Sequence, residues 1–244
     1  MTHKTKAIIL RSIKYGETSL VVTAFTERFG IQTYMVNGVR SASKTGSKAI
    51  LYQPASLLEM EVYHNELKSM HRIKESSRAF LYKNILSGVI KNSIAIFMVE
   101  LLHKTLRQPE QNSELFYFCE DALIKLDEAP PPVTANFALY FMLQLSHFFG
   151  FRINDHDNPR GELYLDLQEG NFTSTQPAHF HFLQPEDALT TSELLKVMQP
   201  HELSQLKLNH VKRRHLLLKY LEYYQLHIPD FGQMKTLTVM DGLL

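Results

Sequence analysis

The chain has 244 residues, 44% of them hydrophobic and 21% charged. That length and mix fit one large soluble domain or two small ones and exclude fibrous, collagen-like and wholly disordered chains. Ten glycines and ten prolines leave little room for flexible linkers, and the single cysteine, Cys119, has no internal disulfide partner, which points to a reducing, cytoplasmic setting.

Lys4 and Lys6 precede an apolar run, Ala7 to Leu10, that ends at Arg11 and is too short for a secretory core, so no signal peptide is expected. The longest apolar stretches, around 94–102 and 137–151, are broken by Glu100, Gln144 and His147, short of the roughly 20 residues a bilayer requires. The chain is expected not to span a membrane.

Net charge is +1, but the charges are sorted. Residues 1–80 hold 12 Lys/Arg against 6 Asp/Glu, 81–200 hold 8 against 15, and 201–244 hold 6 against 4. A positive field at one end attracts and steers polyanions, which makes nucleic acid the first partner to consider.

The first eighty residues have the punctuation of a small β domain. Short β-branched or aromatic runs at 6–13, 19–26, 31–36, 56–63 and 67–73 are separated by Gly, Ser and Asn. In the fourth, Leu58, Met60 and Val62 alternate with Glu59, Glu61 and Tyr63, so the first three form the inward row. Gly16, Gly30 and Gly38 fall in the connections. Five such strands suit a small closed barrel better than a sandwich.

The period then changes to three and four. Phe80, Leu81, Ile85 and Leu86, then Ile94 to Leu102, then Leu115, Phe118, Ala122 and Leu126 read as helices. Residues 137–149 are apolar nearly all round and predict a central helix stopped at Gly150. After a turn at 154–161, Leu163, Leu165 and Leu167 alternate with polar residues, predicting a β-hairpin near 162–183 that turns at 169–171. Helix resumes near Thr190, and 203–226 reads as a long final helix. The expected architecture is α+β: a barrel over 1–78, then a helical domain over 79–244 carrying the hairpin.

Among candidate chemistries, a phosphate loop fails at GVRSASKTGSK (38–48), whose glycines are eight apart and whose Ser precedes the Lys. His156 between two aspartates, and His179 with His181, have short ligand spacings but no thiolates or zinc-binding helix motif beside them. Cys119 sits in a helical apolar pattern as a small core residue. The informative stretch is 28–58, which contains no acidic residue. Arg28, Arg40, Lys44 and Lys48 supply cations there, and Phe29, Tyr34 and Tyr52 supply rings. Cations that follow phosphates and rings that stack bases are what single-stranded nucleic acid binding uses. Lys212 and Arg213, in a run of four basic residues, form a second cluster, although consecutive positions fan around a helix and cannot share one face.

Three segments, KAIILRSIKYGETSLVVTAFTERFG (6–30), NGVRSASKTGSKAILYQPASLLEMEVY (37–63) and LKSMHRIKESS (67–77), resemble in their order the amino-terminal domain of the bacterial RecO family of recombination mediators. LYLDLQEGNFT (163–173) and VKRRHLLLKYLEYY (211–224) are similar in layout to its helical part. The resemblance implies a five-stranded OB-fold followed by helices, no enzymatic turnover and no cofactor. It also implies binding and annealing of single- and double-stranded DNA, with RecR and the tail of single-strand-binding protein as partners in loading RecA. By matched motif it nominates Arg40, with Lys44 and Lys48 in the same loop, and Arg11 and Lys14 beside the 16–19 turn. Some members carry a four-cysteine zinc module; this chain has no cysteine at the corresponding place, so no zinc is expected. An adaptor that binds acidic tails without touching DNA is the alternative reading.

Overall fold

A computed structural model describes residues 2–39, 48–154 and 164–240. The chain divides into two compact units, 1–127 and 128–244.

The first unit is built on five strands, β1 (Thr2–Tyr15), β2 (Ser19–Thr26), β3 (Gly30–Val36), β4 (Leu57–Tyr63) and β5 (His71–Arg78), closed in the order β1-β2-β3-β5-β4. All neighbours are antiparallel except β3 and β5, whose short parallel pairing, Tyr34 with His71 and Met35 with Arg72, completes the barrel. This is the expected OB-type barrel. Leu58, Met60 and Val62 are buried, as their alternation predicts, and join Ile9, Leu20, Val22, Ala24, Tyr34 and Val36 in the core. The fifth strand begins at His71 rather than near Leu67, because residues 64–70 form the connection from β4 and leave Leu67 in solvent.

A bulge in β1 controls which side chains reach solvent. Register with β2 shifts between Ile9 and Arg11. Paired residues point to the same side of an antiparallel sheet. After the shift, Ser12 and Lys14 therefore lie on the side of their partners Val22 and Leu20, both core residues, while Arg11, Ile13 and Tyr15 share the outer side with Thr23, Val21 and Ser19.

Helices α1 (Val89–Thr105) and α2 (Ser113–Glu128) follow, and all but the last residue of α2 belong to the first unit. Phe116 of α2 packs on Phe25 of β2, with ring centroids 5.7 Å apart. Lys6 places its ammonium 3.0 Å from both Glu120 carboxylate oxygens and 5.6 Å from the centre of the Tyr117 ring. Gly30, at φ +63°, lies so close to the loop between these helices that a Cβ would stand 2.2 Å from the Glu110 carbonyl oxygen.

Helical spacing at Phe80, Leu81, Ile85 and Leu86 misleads, since residues 79–88 are irregular. Their backbone is satisfied from outside. Asp127, fully buried, accepts from the backbone N–H groups of Lys83, Asn84 and Ile85 at 2.7–2.8 Å. Burial alone would raise its carboxyl, but these three donors and the nearby Lys91 hold it below its ordinary value.

The second unit centres on α3 (Pro131–Ser146), which buries most of its surface and ends through a short 3-10 turn at Gly150, φ +79°, as expected. A sheet of β6 (Tyr164–Asp166), β7 (Asn171–Thr173) and β8 (Phe182–Leu183) has the order β7-β6-β8. The expected hairpin is therefore β6-β7, turning through Gly170, with β8 added on the other edge of β6. The expected turn at 154–161 lies almost wholly outside the described residues.

Helices α4 (Pro185–Leu195), α5 (His210–His227) and α6 (Leu237–Met240) complete the unit. The final long helix starts at His210, not Leu203, because Pro200–Gln205 forms a separate 3-10 turn whose Leu203 carbonyl, with that of Leu206, accepts from the Asn136 side chain. Tyr223 and Tyr224 of α5 donate their hydroxyls to the carbonyls of Phe151 and Met142. No helix among the described residues is long and apolar enough to cross a membrane.

Candidate nucleic-acid interface

Among the described residues, several cations of the barrel lie at its two rims. β3 spans six residue steps from Gly30 to Val36, so the rims at those two residues are about 20 Å apart.

At the Val36 rim there is an open groove of about 700 Å³. One wall is the chain from Met35 to Val39, the second is the 3-10 helix Lys48–Tyr52, and the third is the Arg72–Ser76 part of β5. The amide of Ala49 donates to the Val39 carbonyl at 3.1 Å, and the Tyr52 hydroxyl meets Ser76 at 2.7 Å, so the first two walls are joined and the second is tied to the third. Lys48, Arg72 and Lys74 line the groove against a single carboxylate, Glu75. Lys74 is committed to Glu61 at 2.9 Å. Lys48 and Arg72 form no ion pair among the described residues. Lys14 belongs to the same rim, since it pairs with Leu20, which pairs in turn with the groove residue Val36. Gly38, at φ +69°, turns the chain into the basic loop. Arg40 and Lys44 lie outside the described residues.

The sequence candidates therefore separate. Lys14 and Lys48 both belong to the Val36 rim. Arg28 belongs to the opposite rim, where its guanidinium lies 5.6 Å from the Phe29 ring centre and donates to the Lys4 carbonyl. Arg11 is exposed on the outer side of β1, across the sheet from Lys14.

Tyr34 needs correction as a stacking ring. It is 0% exposed, packed in the barrel core, and burial pushes its hydroxyl far up. Position 34 pairs with Val22, which faces inward, so both side chains point into the core. Tyr52 is buried as well. The exposed ring that sequence reasoning passed over is Tyr15, 59% exposed one residue beyond Lys14. Arg72 was passed over although it falls within the expected fifth strand at 67–73, because the acid-free stretch that supplied the candidate cations ends at Leu58.

Lys212 needs correction too. Its ammonium is 2.6 Å from Asp187 and 3.0 Å from Glu186, in the first turn of α4, and these carboxylates raise its affinity for the proton over the opposing effect of burial. His215 reaches the same Asp187 at 3.1 Å. Arg213 is half-buried and donates to the Leu208 carbonyl. This cluster fastens α5 to α4, and neither side chain is offered to a ligand. His179 pairs with Asp166 at 3.1 Å and His181 with Glu222 at 2.6 Å, and no group of three potential metal ligands is gathered among the described residues.

Residues 1–79 match the family model described as Recombination protein O N terminal, and residues 87–235 match Recombination protein O C terminal. The chain belongs to the RecO family. Curated relatives named DNA repair protein RecO agree over full length. That of Phocaeicola vulgatus is 32% identical over 243 residues, covering 100% of this chain and 99% of the relative. One from Bacteroides fragilis is 33% identical over 244 residues with the same coverage. One from Flavobacterium johnsoniae is 32% identical, with 98% of each chain covered. The two RecO segments meet between residues 79 and 87, whereas the compact units divide at Asp127, because α1 and α2 pack with the barrel.

Proposed function

We propose that this RecO-family protein acts in recombinational DNA repair as a non-catalytic mediator, holding single- and double-stranded DNA on its barrel without transforming it. The observation that carries this reading is the Val36-rim groove, where Lys48 and Arg72, with Lys14 at the edge, stand at the base of the acid-free stretch. Cations along an open groove that form no ion pair among the described residues suit a phosphate backbone, whose binding is driven by counterion release. The nearby Tyr15 is a surface on which a base can stack. Family membership supports the remaining steps: annealing of complementary strands, partnership with RecR and with the acidic tail of single-strand-binding protein, and loading of RecA.

The test is anisotropy of labelled single- and double-stranded oligonucleotides, followed by annealing of complementary strands. Binding without any change in oligonucleotide length, and faster annealing, are expected. A protein that binds an acidic tail peptide but no oligonucleotide would be an adaptor, and the mediator reading would fail.

A further inference from the structure

The Gly30 rim holds a different site. A column of rings runs outward from the core: Tyr34 to His71 (centroids 5.9 Å apart), His71 to His64 (4.6 Å), His64 to Phe29 (4.0 Å, nearly parallel) and Phe29 to His3 (5.6 Å). His64 and His71 border a recess of about 660 Å³ that His103 of α1 also lines. Arg28 and Lys68 stand at its edge, against one carboxylate, Glu66. The recess thus offers two permanent cations and three imidazoles to a single acid.

The imidazoles are held ready to accept protons. His71 is 4% exposed, its Nε2 meets the side-chain amide oxygen of Gln32 at 2.9 Å, and its Nδ1 is buried without a hydrogen-bond partner among the described residues. The Nδ1 of His64 is likewise buried and has no partner among the described residues. Unmet buried nitrogens are costly, and an incoming acceptor that turns them into N–H donors removes that cost.

We propose that this recess is an oxyanion pocket for a phosphate group of a bound strand, and that filling it draws protons onto the histidines. Burial and the cationic neighbours favour that coupling, and two carboxylates oppose it. Burial, then the neighbouring His3, lowers His64, with Glu66 opposing. Burial, then His64 and Lys68, lowers His71. Burial, then Arg11 and Lys104, lowers His103, with Glu100 opposing. All three are therefore mainly neutral at neutral pH, and an anion among them reverses the balance. By linkage, affinity rises as pH falls through the range where they protonate. The strand as the source of the phosphate rests on the proposed DNA-binding function; the oxyanion chemistry rests on the recess alone.

The test uses the full chain in two measurements. Imidazole Cε1–H signals are followed by NMR against pH, with and without inorganic phosphate; His64, His71 and His103 are expected to titrate about 1 pH unit higher in its presence. Calorimetry of a single-stranded oligonucleotide in two phosphate-free buffers of different ionisation enthalpy is expected to reveal net proton uptake. Arg28→Gln with Lys68→Gln, both exposed and outside the core, is expected to weaken phosphate binding about tenfold and reduce that uptake. Imidazoles that do not respond to phosphate overturn the pocket even if DNA binds elsewhere. A phosphate response with DNA binding but no proton uptake removes the strand as its occupant. No DNA binding at all overturns the functional reading and the strand with it, while the phosphate titration still decides the oxyanion chemistry. Equal proton uptake with an unphosphorylated acidic peptide would assign the recess to carboxylates and overturn the proposal.

Discussion

Asp127 holds three consecutive backbone N–H groups of the first unit, those of Lys83, Asn84 and Ile85. Its carboxylate replaces the hydrogen bonds that residues 83–85 would have made as a helix. Asp127→Asn keeps the size but loses the charge and one acceptor, so denaturant unfolding is expected to show a loss of about 2 kcal/mol or more. Because the native carboxyl is held below its ordinary value, that stabilisation is complete above about pH 4 and disappears as pH falls through the native value. Nothing local in the sequence announces this contact. The apolar spacing at 80–86 satisfies a helix template, and the competing acceptor lies some forty residues away. Gly30 was legible as a turn but not as a contact. Gly30→Ala must both keep a positive φ and move the Glu110 backbone, and is expected to cost about 2–3 kcal/mol in the same measurement. Lys212 was misread for a related reason: four basic residues look like a ligand surface until Glu186 and Asp187 arrive from another helix. Lys212→Ala is expected to change stability by no more than about 1 kcal/mol and to leave DNA affinity unchanged.

At the scale of elements, alternation was enough to place the first four strands and the inward row of β4. It failed where registers shift. The β1 bulge is silent in the sequence, yet it inverts the faces of the residues that follow it, so that Arg11 turns outward and Ser12 and Lys14 take the side of Val22 and Leu20. The ring column was hidden because its members come from the start of β1, the β2-β3 turn, the β4-β5 connection and β5, and only closure of the barrel brings them together. This element carries its own pH signature. The unfolded chain protonates His64 and His71 near pH 6.5, whereas the native barrel does so only at lower pH. Below about 6.5 the unfolded state binds more protons, so stability is full above that pH and declines as pH falls toward the native values. Thermal melts between pH 7.5 and 5.5 are expected to show a falling midpoint, and the fall is expected to shrink in His64→Gln with His71→Gln. A midpoint independent of pH would mean the column is not held neutral by the fold.

For the molecule as a whole, the uneven charge distribution survives folding in a more specific form than the sequence suggested. Among the described residues, the amino-terminal cations do not form a single face: Lys14, Lys48 and Arg72 belong to the Val36 rim, Arg28 and Lys68 to the recess at the opposite rim, and Arg11 to the outer wall between them. Lys6 and Lys74 are spent on Glu120 and Glu61, while Lys14, Lys48 and Arg72 remain together at the Val36 rim. The order of strands and the helical remainder were legible because local pattern and tertiary structure agree. The partition of cations was not, because it depends on which carboxylates fold back onto which lysines. The central claim, that the Val36-rim groove holds DNA, is tested most directly by the salt dependence of oligonucleotide affinity in the charge-reversed variant Lys14→Glu, Lys48→Glu, Arg72→Glu, with folding verified by circular dichroism. Losing three phosphate contacts is expected to weaken binding for every sequence and to flatten the slope of log affinity against log salt by about 2 for single strands. A folded variant with unchanged affinity and unchanged slope would contradict the account.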